Sequence, residues 1–246
     1  METASRRGRI RLDRSRPWAE LVLDHPARRN AMTPAMVDDL ERAVEALEAQ
    51  PPPATLWWGE GGRSFCAGSD LRRVRAGLDE RGAALAVCVR MRALLSRVEA
   101  LPTLRAVAIE GAAVGGGAEL ALVGHRIFMA SDAVFGFLHA GLGVSPGWGG
   151  GARLVERVGE RRAVVILAEA ARLGADAAAT AGLVDVVCPP GAAVEAARTW
   201  LSARCALAPE ALAAAVAIGQ GSADEAERFA ALWGGPAHRR ALGESS

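Results

Sequence analysis

Two glycine-rich segments hold the residues best suited to chemistry in this chain of 246 residues. Phe65–Leu71 reads FCAGSDL, and Gly111–Leu120 reads GAAVGGGAEL. Each follows an apolar run and leads into a predicted helix, with an acidic residue, Asp70 or Glu119, just inside it. Unpaired backbone N–H groups at such a turn, together with the helix dipole, favour a negatively charged oxygen. Two such turns side by side would form an oxyanion hole.

A lone histidine stands in a third glycine-rich segment, Val134–Leu154, which reads VFGFLHAGLGVSPGWGGGARL. His139 is the only ionisable side chain of that segment before Arg153. Histidine ordinarily titrates near neutral pH, so His139 could act as a general acid or base. A histidine buried in the core or held in a loop is the alternative, and the segment alone does not decide between them.

Composition and charge exclude several classes of function. The formal net charge is +1 without any block of like charges, so we expect no nucleic-acid partner. The chain has no lysine and no tyrosine, which excludes a Schiff-base lysine, a P-loop lysine and a tyrosine acid. No apolar run reaches the roughly 18 residues that span a bilayer, so we expect no membrane partner. Scattered cysteines and an N-terminus without a secretory apolar core indicate a cytoplasmic protein with free thiols.

Strands and helices alternate along the chain, and several strands lack the polar alternation of a half-exposed sheet. We therefore predict an α/β fold whose parallel strands are buried on both faces. Thr33 suits the N-cap and Pro34 the first position of a helix that stops at Pro51. Strands are expected from Trp18, Ala54, Thr103 and Arg126 and over Leu183–Pro189, and the glycine-rich segments are expected to be loops. Further helices are expected near Asp70, over Glu80–Leu101, Val155–Glu169 and Ala175–Ala181, and after Pro190.

The order of these motifs resembles the crotonase (enoyl-CoA hydratase/isomerase) superfamily. The matching stretches are LDHPARRNAMTPAM, FCAGSDL, IEGAAVGGGAELAL, FGFLHAGLGVSPGWGGGARL and AGLVDVV. The resemblance implies a crotonase fold, with a ββα-type spiral core that holds an acyl-CoA site in residues 1–190. Residues 191–246 would form a C-terminal helical region, either in the same domain or at a trimer contact. The family usually assembles as homotrimers or dimers of trimers.

The resemblance also implies roles for individual residues. The backbone N–H groups of Ser69 and Gly116 would form the oxyanion hole for a thioester carbonyl, and Glu119 would be a catalytic carboxylate. Arg28 and Arg29 would contact the CoA phosphates. The acyl pocket would be lined by Ala67, Gly68, Gly115, Phe137, Trp148 and Trp233.

Position 139 separates branches of the family. Hydratases carry a second glutamate 20 residues after the first, where this chain has His139. Ser69, His139, Trp148 and the WGGPA segment Trp233–Ala237 resemble the ethylmalonyl-CoA decarboxylase branch, which removes CO₂ from ethylmalonyl-CoA and methylmalonyl-CoA. This implies a carbon–carbon lyase with no cofactor or metal beyond the CoA of its substrate. His139 would hold the departing carboxylate or relay a proton, and Glu119 would orient a water or, with a raised pKa, donate the proton.

Two other functions stay open from the sequence. The first is enoyl-CoA hydration or isomerisation, including action on a carrier-bound acyl group. The second is a non-catalytic crotonase-fold protein that binds RNA or another partner, which the intact glycine loops and Glu119 argue against. Cys66 lies beside the predicted hole, and we expect it to be a buried small side chain rather than a nucleophile.

Overall fold

The computed structural model describes residues 8–70 and 81–243. Within these ranges the strands are β1 Arg9–Asp13, β2 Ala19–Asp24, β3 Ala54–Gly59, β4 Ser64–Cys66, β5 Leu104–Ile109, β6 Ala112–Val114, β7 Arg126–Ala130, β8 Val134–Gly136, β9 Leu173–Gly174 and β10 Val186–Cys188. The helices there are α1 Pro34–Ala49, α2 Arg81–Ala100, α3 Gly116–Ala121, α4 Gly150–Val158, α5 Glu160–Glu169, α6 Ala175–Thr180, α7 Ala193–Cys205, α8 Pro209–Gly219, α9 Glu225–Leu232 and α10 Pro236–Ala241. Short 3₁₀ turns lie at Pro26–Arg28 and Ala140–Leu142.

The larger sheet has the order β1-β2-β3-β5-β7-β10, and all of its pairs are parallel except β1 with β2. Both of its faces are covered. Leu56 and Ala106 belong to the core beneath α7, whereas the next residues along the strands, Trp57 and Val107, belong to the core beneath α1 and α2. This confirms the predicted parallel sheet. Strands that are buried on both faces have apolar residues at successive positions instead of alternating apolar and polar ones.

A smaller sheet, ordered β4-β6-β8-β9, lies in the segments that the sequence predicted as loops. β4, β6 and β8 run parallel, and β9 pairs antiparallel with β8. The prediction of loops was wrong because strands of two or three residues are too short to show a period of two. β1 was also missed, since its sequence, RIRLD, carries two arginines.

α1 begins at the residue that the sequence predicts, whereas the helix expected over Val155–Glu169 does not. Thr33 is the N-cap of α1, and its hydroxyl accepts the Met36 N–H at 3.3 Å, with Pro34 at the first position as predicted. The helix expected over Val155–Glu169 instead begins at Gly150 and is divided into α4 and α5 at Gly159, whose φ of +79° interrupts the helix. The helix expected just after Asp70 lies outside the described residues.

Two buried carboxylates attach α7 to the larger sheet. Burial alone would raise the pKa of Glu20, but hydrogen bonds from Arg198, Trp58 and Trp18 and the charge of Arg198 outweigh it and lower the pKa. Arg198 of α7 reaches both oxygens of Glu20, at 3.0 and 2.8 Å. Because this carboxylate stays charged, it links α7 to β2.

The second carboxylate, Glu110, caps the start of α7. It accepts the backbone N–H groups of Gly191, Ala193 and Val194 at 3.1, 2.7 and 3.4 Å. The first N–H groups of a helix have no partner within it, so a carboxylate there satisfies them and complements the helix dipole. The start of the C-terminal region is therefore joined to the end of β5.

No helix within the described ranges is by itself long and apolar enough to cross a lipid bilayer. α7 and α8 meet that criterion only as a pair, across a bend of 111°.

Replacing Glu110 by Ala should lower the free energy of unfolding by about 1–3 kcal/mol, because three N–H groups lose their acceptor. Glu195→Ala is the matched control, since Glu195 lies in the first turn of the same helix but is 71% exposed and pairs with Arg198. Urea denaturation should show a loss of roughly 0–1 kcal/mol for the control. Equal losses in the two variants would contradict the capping role.

Candidate functional site

The smaller sheet brings the two glycine loops into direct contact. β4 pairs with β6, so Cys66 lies beside Ala113, and the chain beyond each strand enters its glycine loop. A Cβ atom on Gly68 would lie 2.9 Å from the Gly116 nitrogen, and one on Gly117 would lie 2.0 Å from the Cys66 carbonyl oxygen. The backbones of the two loops are therefore so close that a side chain at position 68 or 117 would collide with the other loop.

The two predicted oxyanion donors lie at this contact. Ser69 forms an isolated parallel β-bridge with Met32. The two hydrogen bonds of this bridge involve the neighbours of Ser69: the Met32 N–H donates to Gly68 O at 2.8 Å, and the Asp70 N–H donates to Met32 O at 3.2 Å. In a parallel bridge of this kind the N–H of Ser69 itself is directed away from Met32. Gly116 is the first residue of α3, so its N–H has no acceptor within the helix.

The predicted CoA-binding arginines belong to the turn that supports the first glycine loop. The 3₁₀ turn ends at Arg28, and Arg29 follows in a left-handed conformation with φ of 52°. Its carbonyl oxygen accepts the Ala67 N–H at 3.0 Å. Gly115, on the second loop, has φ of +57° and donates its N–H to Gly136 O at 2.9 Å.

Asn30 holds this turn together, and the sequence analysis missed it. It is fully buried with φ of 54°, a conformation that asparagine tolerates better than most residues. Its side-chain oxygen accepts the His25 N–H at 2.8 Å, and its amide donates to the carbonyls of Glu60 and Ser64 at 3.0 and 2.7 Å. An asparagine after two arginines in a turn is the signal that could have found it.

Glu119 is the most tightly held carboxylate of the site. Its side chain is 1% exposed, and it accepts the N–H groups of Gly147, Trp148 and Gly150 at 3.2, 2.7 and 2.8 Å. Burial alone would raise its pKa, but the hydrogen bonds from His139 and these N–H groups outweigh burial and lower the pKa from its ordinary 4.5. The raised pKa that a proton-donating Glu119 would need is therefore not found.

His139 is joined directly to that carboxylate. Its Nε2 atom lies 3.1 Å from Oε1 of Glu119. Its Nδ1 atom is buried and has no hydrogen-bond partner among the described residues. The anionic acceptor favours a proton on Nε2, which leaves Nδ1 as the ring nitrogen without a hydrogen bond among the described residues. The spacing of 20 residues between Glu119 and His139 thus places them in contact.

Two of the predicted pocket residues, Trp148 and Phe137, pack near the Glu119–His139 pair. A Cβ atom on Gly116 would lie 2.6 Å from the Trp148 ring, so this buried ring covers the start of α3. Phe137 is fully buried, and its ring centroid lies 6.0 Å from that of His139. Phe137 therefore packs against the histidine ring from the core.

The described ring contacts of Trp233 are with other residues than Glu119 and His139. Its side chain is 65% exposed and packs on Phe229 and His238, with ring centroids 5.2 and 4.7 Å apart. These residues line a cavity of about 890 Å³ between the C-terminal helices. The pocket role predicted for Trp233 stays a prediction.

The thiols near the site are poor nucleophiles. Burial raises the pKa of Cys66 to about 12, as expected for a small core side chain. Burial and the charge of Glu119 also raise the pKa of Cys88, whose sulfur lies where a side chain on Gly147 would be.

Comparison with known proteins shows the family of this chain. The family model described as enoyl-CoA hydratase/isomerase matches residues 15–228, and the chain belongs to this family. It is 38% identical to the ethylmalonyl-CoA decarboxylase of Danio rerio over 235 residues, which cover 90% of this chain and 77% of that protein. It is 32% identical to the ethylmalonyl-CoA decarboxylase of Homo sapiens, covering 90% of this chain and 76% of that protein.

Solved structures support the predicted crotonase fold. An enoyl-CoA hydratase/isomerase family protein from Hyphomonas neptunium superposes with a TM-score of 0.87 at 28% identity, covering 95% of this chain and 93% of its own. An enoyl-CoA hydratase from Bacillus anthracis gives a TM-score of 0.85 at 26% identity, covering 95% and 94%. The predicted fold is confirmed.

Gly68→Ala should separate the two glycine loops, since its Cβ would collide with the Gly116 nitrogen and its φ is +85°. Gly62→Ala is the matched control, because φ there is +66° but the space is open. Left-handed strain costs roughly 1–2 kcal/mol in both variants. Gly68→Ala should lose more stability in urea denaturation and bind an acyl-CoA more weakly in calorimetry. Indistinguishable results for the two variants would show that loop contact does not matter.

Proposed function

We propose that this chain decarboxylates 2-alkylmalonyl-CoA thioesters such as ethylmalonyl-CoA and methylmalonyl-CoA. The observation that carries the proposal is the contact between His139 and the anionic Glu119, at the position where a hydratase would hold a second carboxylate. The relatives named ethylmalonyl-CoA decarboxylase support it from the sequence side.

The reaction begins at the bond between Cα and the free carboxylate of the substrate. That bond breaks, and its electron pair moves into the bond between Cα and the thioester carbon, so CO₂ leaves and an enolate forms. The enolate oxygen accepts hydrogen bonds from the N–H groups of Ser69 and Gly116. Each donor of this kind contributes about 3 kcal/mol to transition-state stabilisation. The buried Trp148 and Phe137 rings lower the solvation of the departing carboxylate.

The second half of the reaction is protonation of Cα, and we propose that His139 performs it. Glu119 holds the Nε2–H, so the imidazolium form of His139 delivers the proton of Nδ1, the nitrogen without a partner among the described residues. The ring is left as a neutral imidazole with its proton on Nε2. The enolate gains this proton to become butyryl-CoA or propionyl-CoA, and His139 recovers a proton from solvent. Glu119, whose pKa is lowered, remains ionised and orients the imidazole.

Hydration of an enoyl-CoA is the second candidate, since the Bacillus anthracis neighbour is an enoyl-CoA hydratase. A hydratase of the familiar kind orients one water between two carboxylates. Here Glu119 accepts three backbone N–H groups as well as His139, so few of its lone pairs remain for a water. The geometry therefore favours decarboxylation.

The purified chain should release CO₂ from ethylmalonyl-CoA and form butyryl-CoA, whereas crotonyl-CoA should gain water slowly or not at all. His139→Ala should lower the decarboxylation rate by roughly 10²–10⁴-fold, the range of general acid catalysis, and bind butyryl-CoA as the wild type does. Labelled CO₂ release and calorimetry measure both quantities.

Three results would overturn the proposal. Hydration of crotonyl-CoA without CO₂ release would identify a hydratase. Absence of any acyl-CoA binding would indicate a non-catalytic protein. Turnover of ethylmalonyl-CoA by His139→Ala at the wild-type rate would remove His139 from the mechanism.

A further inference from the structure

Arg153 joins the loop that holds Glu119 to the end of α2. Its Nε and Nη2 atoms lie 2.5 and 2.9 Å from the two carboxylate oxygens of Glu99, and its Nη1 donates to the Trp148 carbonyl at 2.8 Å. The N–H of the same Trp148 donates to Glu119. Arg153 is 6% exposed and does not touch Glu119 in these hydrogen bonds, but the peptide segment that holds Trp148 connects the two side chains.

The guanidinium also lies against the loop backbone. A Cβ atom on Gly149, where φ is +87°, would lie 3.0 Å from Nη1 and 3.5 Å from Cζ of Arg153. The positive φ is what favours glycine there, and the guanidinium packs closely against its backbone. The loop is thus held from one side by Glu119 and from the other by Arg153.

A cavity of about 1050 Å³ adjoins this arginine. It is lined by Glu99, Arg153 and the loop residues Gly147 and Gly149, among others. Because this cavity borders the loop, loss of the guanidinium would leave the loop room to move. The ion pair with Glu99 is therefore what fixes the loop on that side.

We propose that Arg153 is a positioning residue of the reaction, which with Glu99 clamps the Pro146–Gly150 loop so that its N–H groups hold Glu119 against His139. The inference rests on the proposed decarboxylation for its kinetic readout. Displacement of a catalytic group by about 1 Å can cost on the order of 10²-fold in rate. The predicted donor Ser69 lies on another loop, so turnover should fall more than binding of the thioester weakens.

The matched control is Arg97→Met. Arg97 makes the same forked pair, with Nε and Nη2 at 2.8 and 2.6 Å from the carboxylate of Glu48, but on the exposed side of α2. Arg153→Met should lower kcat for ethylmalonyl-CoA roughly 10–100-fold, the range expected when a catalytic group is displaced by up to about 1 Å, with a smaller change in KM. Arg97→Met should match the wild type. Arg153→Lys should recover part of kcat, because an ammonium keeps the charge but not the fork.

A second readout needs no turnover. In ¹⁵N NMR of the histidine rings, with His139 assigned from His139→Gln, Arg153→Met should shift the His139 signals and Arg97→Met should leave them unchanged. If the wild type does not release CO₂, the proposed function fails while this measurement still tests the clamp. Should Arg153→Met not fold, Glu99→Gln replaces it, since this variant keeps the shape of the pair. Wild-type His139 signals in a folded Arg153→Met or Glu99→Gln variant would overturn the proposal.

Discussion

The buried carboxylate of Glu119 is the group around which the site is built. A charge taken out of water costs several kcal/mol unless hydrogen bonds replace its solvation. Three backbone N–H groups and the His139 ring do so here. To supply three N–H groups from one short loop the backbone must curl tightly around the carboxylate. A Cβ atom on Gly150 would lie 2.3 Å from Cγ of Glu119, so the glycine at position 150 follows from that requirement.

The second constraint is the contact between the two glycine loops. It arises because β4 and β6 are parallel neighbours, although each has only three residues. Asn30 ties the arginine turn to β4, and the Arg29 carbonyl holds the first loop at Ala67. A small ladder and one buried amide thus place the predicted CoA contacts beside the predicted oxyanion donors.

Much of this arrangement is predictable from the sequence. Apolar runs without alternation predict the larger sheet, and Thr33 with Pro34 predicts the start of α1. Glu119 and His139 are recognised because the glycine-rich motifs around them resemble those of the enoyl-CoA hydratase/isomerase family. The smaller sheet is not predictable, because its strands are too short for a pattern.

Other features depend on contacts between distant residues. Arg153 meets Glu99 across 54 positions of the chain, and Asn30 meets Ser64 across 34, so neither pairing is visible in a local pattern. The protonation state of Glu119 likewise cannot be predicted from the sequence, because it depends on contacts with residues distant in the chain. Burial and hydrogen bonding act on it in opposite directions, and only the geometry shows that hydrogen bonding prevails.

The ionisation of Glu119 is also what separates a carboxylate that orients His139 from one that donates a proton itself. Titration of its side-chain carboxyl by ¹³C NMR, with Glu119→Gln to assign the signal, measures this directly. We predict a pKa below the ordinary 4.5, with the carboxylate charged at every pH near neutrality. A pKa above that value, with Glu119 protonated at neutral pH, would contradict the central role given to this anion.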